Sequence, residues 1–138
     1  MFPLTQEVIN TFTTPHGKIS LLANESIIGQ TFINGHYWDC NSLEILKKFI
    51  DPTRNILEVG GHCGTSSIVY ASYLNKHNKV FVYEPQKNMY DLLLKNINQN
   101  NLQNTIIPYN SGVFCFNGKG SMDVTEKYSG GNVEKRYT

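Results

Sequence analysis

Polar and apolar residues alternate over two stretches near the start of the chain. Thr11 to Thr14 and Lys18 to Leu22 read as strands on either side of Pro15-His16-Gly17, a hairpin turn. Ile27 to Phe32 reads as a further short strand. A turn and an aromatic cluster follow in Asn34-Gly35-His36-Tyr37-Trp38-Asp39. The period then changes, and Leu43, Leu46, Phe49 and Ile50 fall on one helical face. Asn41 with Glu44 three residues on matches a capping box, which starts this helix at Asn41. Asp51-Pro52 ends it, because proline disfavours helix in the residue before it.

From Asn55 the pattern becomes regular. Asn55 to Val59 is a short buried strand, Gly60 to Gly64 a tight loop, and Thr65 to Leu74 a helix with Thr65 or Ser66 as its N-cap. Lys79 to Tyr83 is a second strand, closed by Glu84-Pro85. Asn88 to Asn98 is a second helix with Met89, Leu92, Leu93 and Ile97 on one face. Thr105 to Tyr109 is a third strand, and Pro108 suits an edge position. The polar tail carries a hairpin signal at Ser129-Gly130-Gly131. Strand, helix, strand, helix, strand with right-handed crossovers implies α/β architecture, a parallel sheet with helices on its faces. Residues 1–50 then form an N-terminal β/α extension or cap, and 51–138 the sheet domain.

Composition narrows the function classes. The 138 residues make about one domain, and 40% apolar with 17% charged residues is a soluble globular profile. A net charge of +1 provides no broad basic field, so neither nucleic acid nor a membrane surface is expected as partner. No apolar run reaches the roughly 18 residues that a membrane span needs. The start, MFPLTQEVINTF, lacks the basic and apolar regions of a secretory signal. Cys40, Cys63 and Cys115 are odd in number and widely spaced, without a C-x-x-C pair. Neither a disulfide framework nor a metal site is expected, and a reducing, cytoplasmic setting fits.

The candidate chemistry lies in LEVGGHCGTSS, residues 57–67. A glycine-rich turn after a buried strand lets the backbone approach a ligand, and the following helix points its first N–H groups at it, favouring a negative group. Glu84 ends the next strand, 24 residues after Gly60. A carboxylate there can accept hydrogen bonds from both hydroxyls of a ribose. Taken singly, the glycines also serve a plain strand-to-helix turn, and Glu84 a solvated strand end. At this spacing they point together to a nucleoside-containing cofactor without saying which one. The dinucleotide fingerprint fails, since its three glycine positions counted from Gly60 are Gly60, His62 and Thr65. A P-loop is excluded, because no Gly-Lys-Ser/Thr follows. Cys63 reads as a packing residue and His62 as a loop residue offering its backbone. His36, Tyr37 and Asp39 precede the sheet domain and are placed to border an acceptor pocket, but with Trp38 they read more simply as a turn with aromatic packing, and no catalytic base is assigned.

Several of these residues together resemble the FkbM family of class I S-adenosylmethionine-dependent methyltransferases. The family's strand end followed by Gly-Ala-Asn-x-Gly is here Glu58-Val59-Gly60-Gly61-His62-Cys63-Gly64, with Gly61 for its Ala and His62 for its Asn. Glu84-Pro85 matches its next strand end. Leu93, Asn96 and Asn100 match its Leu-x-x-Asn-x-x-x-Asn helix, and Asn110-Ser111-Gly112-Val113 its next loop. The resemblance covers about residues 55 to 120. It implies a Rossmann-like methyltransferase fold with S-adenosylmethionine as cofactor. Glu58, Gly60, Gly61, His62, Cys63 and Gly64 would hold the methionine part, Glu84 the ribose, and Asn110 or Ser111 would lie near the adenine. It further implies O-methylation of a sugar or small-molecule hydroxyl.

The family's later Lys-x-Asp-x-Glu-Gly strand and the elements beyond it have no counterpart here, so a domain truncated in its C-terminal half is expected. The first parallel strand then stands as an open edge, which invites a second copy of the chain or a completing partner. Two other readings stay open: a non-catalytic module that keeps the fold for interaction, and half of a nicotinamide-dependent oxidoreductase.

Overall fold

The computed structural model describes residues 8–22 and 27–121. The hairpin signal at 129–131 lies outside them. Strands β1 (Ile9–Thr14) and β2 (Gly17–Leu22) form the expected antiparallel hairpin around Pro15-His16. Helices α1 (Ile27–Ile33) and α2 (Cys40–Lys47) follow. Then come β3 (Ile56–Val59), α3 (Thr65–Tyr73), β4 (Val80–Tyr83), α4 (Lys87–Gln99) and β5 (Ile106–Tyr109). The last three strands make a parallel sheet in the order β3-β4-β5. Pro108 sits in the edge strand β5, where its missing N–H breaks no central ladder.

Among the described residues, one face of the sheet is covered and the other is open. Val80, Val82 and Ile106 pack with Ile68 and Ala71 of α3 and with Met89, Leu92, Leu93 and Ile97 of α4. Ile19 and Leu21 of the hairpin join the same core. On the opposite face, register puts Leu57, Phe81 and Ile107 in one row and Val59, Tyr83 and Tyr109 in the next. Leu57 is 65% exposed and Val59 59%. Among the described residues, no helix is long and apolar enough to cross a membrane.

Four local expectations are corrected. Residues 27–33 form a helix, not a strand. Ile28 and Phe32, four apart, turn inward together, and the Phe32 ring meets Phe12 and Tyr37 at centroid distances of 5.7 and 5.1 Å. One-sided burial at helical spacing outweighs the β preference of the branched residues. Asn41 is not a cap, because α2 begins one residue earlier. Asp39 takes the N-cap position in the left-handed region (φ 55°), without a side-chain cap bond. Of the expected apolar face only Leu43 is buried, while Leu46 is exposed and Phe49 is 80% exposed. The cap of α3 is Gly64, not Thr65 or Ser66, which lie inside the helix.

Candidate functional site

The loop after β3 is shaped by its own backbone. Gly60 and Gly61 N–H both donate to the Tyr83 carbonyl, at 2.8 and 3.1 Å, which ties the loop to the end of β4. Gly64 N–H closes the turn onto the Gly61 carbonyl at 2.8 Å. A Cβ on Gly61 would stand 2.1 Å from Val82 Cγ1, so the sheet core leaves no room for a side chain there. Gly60 is the opposite case. Its φ of +82° disfavours other residues, yet nothing lies within 4 Å of where its Cβ would be. The backbone at Gly60 is therefore open to an approaching group.

Glu84 is 3% exposed at the carboxyl end of β4. Its Oε2 accepts the His62 N–H at 2.7 Å and its Oε1 accepts the Gln86 N–H at 2.8 Å. The predicted loop and the predicted carboxylate are thus in direct contact. A carboxylate offers about four acceptor sites, so two main-chain donors leave acceptor capacity on both oxygens. Asn110 Nδ2 donates to the Glu84 carbonyl at 2.8 Å and the Pro85 carbonyl at 3.2 Å. It fastens the end of β5 to the turn that carries Glu84. Beside it, the Tyr83 and Tyr109 rings stack at 4.8 Å.

Glu58 points away from the open sheet face and accepts the Ser67 hydroxyl at 2.5 Å. Burial pushes its carboxyl up to about 7, against the pull of that hydroxyl. Burial also raises the Glu84 carboxyl, opposed by the Gln86 and His62 N–H groups. His62 sits in the left-handed region (φ 49°), and burial pushes its imidazole down to about 4. It is neutral at pH 7. Cys63 is fully buried, and its thiol is pushed up to about 12, as suits a packing residue.

All the sequence-selected residues fall in or beside this loop cluster. Three others were not assigned to the cofactor site. Ser67 binds Glu58, and Tyr37 donates its hydroxyl to the Thr65 carbonyl at 2.7 Å, at the start of α3. Asn96 reaches the loop from α4. Ser67 lay at the end of the 57–67 stretch, Tyr37 in the aromatic turn and Asn96 in the Leu-x-x-Asn-x-x-x-Asn pattern, but none of these signals named the contact it makes.

A parallel sheet with a glycine loop after its first strand and an acidic residue ending its second defines the Rossmann-like methyltransferase fold. Solved structures share it. P. horikoshii TYW2, solved with MeSAdo, has 17% identity and a TM-score of 0.63 over 82% of this chain and 39% of that one. The M. jannaschii tRNA m1G37 methyltransferase has 15% identity and a TM-score of 0.56 over 75% of this chain and 30% of that one. The SAM-dependent methyltransferase from Agrobacterium tumefaciens has 11% identity and a TM-score of 0.52 over 80% and 34%. The chain spans well under half the length of each. No curated protein matches it by sequence. The profile of Protein-L-isoaspartate(D-aspartate) O-methyltransferase (PCMT) matches residues 14–126, and the chain belongs to that family. S-adenosylmethionine is the cofactor of this methyltransferase class.

Two expectations change with these findings. The matching family is PCMT, so the narrower FkbM assignment is not what the comparison shows. The exclusion of nucleic acid is overturned, because a tRNA methyltransferase is among the structures that share the fold. Net charge sums over the whole chain, whereas a nucleic acid is held by local groups, so +1 excludes nothing on its own.

Proposed function

We propose that this chain carries the S-adenosylmethionine-binding part of a methyltransferase acting on an oxygen nucleophile. The observation that carries the reading is the contact between the glycine loop and the strand-end carboxylate, His62 N–H to Glu84 Oε2 at 2.7 Å. Glu84 would accept the ribose hydroxyls with its remaining lone pairs. The open backbone at Gly60, with Gly61, His62, Cys63 and Gly64, would cradle the methionine end, and the start of α3 would face its carboxylate. Glu58 would support the loop through Ser67. Asn110 would hold the turn bearing Glu84 beside the base. The cofactor supplies an electrophilic methyl group. The chain's own residues align it and keep water out.

Oxygen as acceptor atom follows the family description, which names an isoaspartate O-methyltransferase, whereas a sugar or small-molecule hydroxyl follows from the FkbM-like motifs alone. The fold shared with a tRNA methyltransferase makes tRNA a required arm of any acceptor screen. The first test is calorimetric titration with S-adenosylhomocysteine, with NAD as control. Saturable binding of the first alone is expected. Glu84→Ala should weaken it at least tenfold, since one charge-assisted hydrogen bond contributes about 1.5–3 kcal/mol. Unchanged affinity in that variant removes Glu84 from the site. A folded chain that binds neither compound keeps these motifs only as scaffold, the interaction-module reading.

A further inference from the structure

Asn96 is fully buried in α4, and every hydrogen-bonding position of its amide is used. Its Oδ1 accepts the Ser20 N–H at 2.7 Å and the Gln99 Nε2 at 2.7 Å. Its Nδ2 donates to the Ser20 carbonyl at 2.8 Å and to the Cys63 carbonyl at 2.7 Å. One side chain therefore joins three elements: helix α4, hairpin strand β2, and the loop proposed to cradle the cofactor. One turn further on, Asn100 repeats half of this. Its Oδ1 accepts the Lys18 N–H at 2.8 Å, and its Nδ2 donates to the Lys18 carbonyl at 2.7 Å.

The spacing explains why two asparagines serve. Four residues of helix rise about 6 Å, and two residues of strand about 6.6 Å. Amides at 96 and 100 can thus face the outward-pointing main-chain groups of 18 and 20 in register. They stand where a neighbouring strand would stand. Asn100 serves the hairpin and its own helix, where its Nδ2 also donates to the Asn96 carbonyl at 2.8 Å, whereas Asn96 holds the loop carbonyl.

We propose that Asn96 is a positioning residue for the cofactor loop, and that through it the seating of the N-terminal hairpin is coupled to cofactor binding. This rests on the site proposed above. Asn96 fixes the Cys63 carbonyl, and with it the turn from Gly61 to Gly64 that borders the proposed cofactor site. Loosening the hairpin at Ser20 loosens the group that holds the loop. Coupling is reciprocal, so a ligand that orders the loop must also steady the hairpin.

The test is amide hydrogen exchange read by NMR on the whole chain. In the wild type, saturating S-adenosylhomocysteine should slow exchange at Lys18 and Ser20 several-fold, although neither belongs to the proposed pocket. Unchanged exchange there in a demonstrably liganded chain overturns the coupling. A second comparison needs no ligand. Asn96→Ala should speed exchange at Cys63 and Thr65 about tenfold more than at Val82 in the core, the scale of one lost buried hydrogen bond. Asn100→Ala should speed exchange at Lys18 and leave the loop alone. Uniform acceleration in both variants would mean that Asn96 is only a fold-stabilising residue. Asn96→Ser, which keeps a donor hydroxyl, replaces the alanine variant if that one does not fold. A wild type that binds no S-adenosylhomocysteine defeats the site reading, and the ligand-free comparison still decides the role of Asn96.

Discussion

At the scale of single residues, the site is a set of polar groups moved away from their solution behaviour by burial. Glu58 ionises near 4.5 in an unfolded chain but near 7 in the fold. Between these values the folded chain keeps a proton that the unfolded chain has lost. The Glu58 contribution to stability is therefore present below about pH 4.5 and lost as pH rises to about 7. His62 has the opposite sign. Its folded value of about 4 lies below its ordinary 6.5, so its contribution is present above pH 6.5 and lost as pH falls toward 4. The two slopes oppose one another where they overlap. Glu58→Gln removes the first of them. Its melting temperature relative to wild type should rise steadily from pH 4.5 to 7, and parallel pH profiles would show that Glu58 is solvated. Gly61 illustrates a different residue-scale constraint. An alanine, as in the FkbM pattern, would meet Val82 in this backbone, so the departure from that pattern agrees with the local packing.

At the scale of elements, what matters is how each strand and helix end is tied to the next. The start of α3 has no side-chain cap bond. Its first carbonyl accepts the Tyr37 hydroxyl from the segment between α1 and α2, which ties the helix start in place without capping its N–H groups. Tyr37 also packs edge-on against Phe32 and His16, and burial raises its phenol well above the ordinary range, which keeps it a donor. Tyr37→Phe should cost about 0.5–1.5 kcal/mol, the net worth of one hydrogen bond, measured by thermal or urea unfolding. An unchanged midpoint would mean that water replaces the hydroxyl. The helix at 27–33 belongs to this scale too. Its branched residues favour a strand in isolation, and only the packing of Phe32 against the hairpin and Tyr37 makes the helix the better solution.

At the scale of the whole molecule, the described residues cover the sheet on one side only. Leu57, Val59 and Tyr109 are exposed on the other, and Phe81, Ile107 and Tyr83 lie in the same rows. With the last three half-buried, they make one contiguous, partly exposed apolar patch rather than scattered surface residues. The folded chain should raise the fluorescence of an apolar dye such as ANS at neutral pH. The pair Leu57→Thr and Val59→Thr should lower that signal while changing stability by no more than about 0.5 kcal/mol per site, as solvated positions do. A dye signal that vanishes only with unfolding and ignores the pair would place the binding elsewhere.

Local information is what the amino-acid order settled by itself. The strand, glycine loop and helix from 55 to 74, the acidic strand end at Glu84 and the apolar face of α4 all follow from residue type and period. Each depends on neighbours within a few positions. The contacts across the fold were decided by tertiary structure. Which side of the sheet is covered, why 27–33 is a helix, where α2 leaves Phe49 exposed, and how Asn96 meets Ser20 and Cys63 all depend on groups far apart in sequence. The same holds for the charge of Glu58 and His62, since burial, and not residue type, sets the cost of ionising them. Periodicity shows that a face is apolar, but only the folded chain shows what covers it.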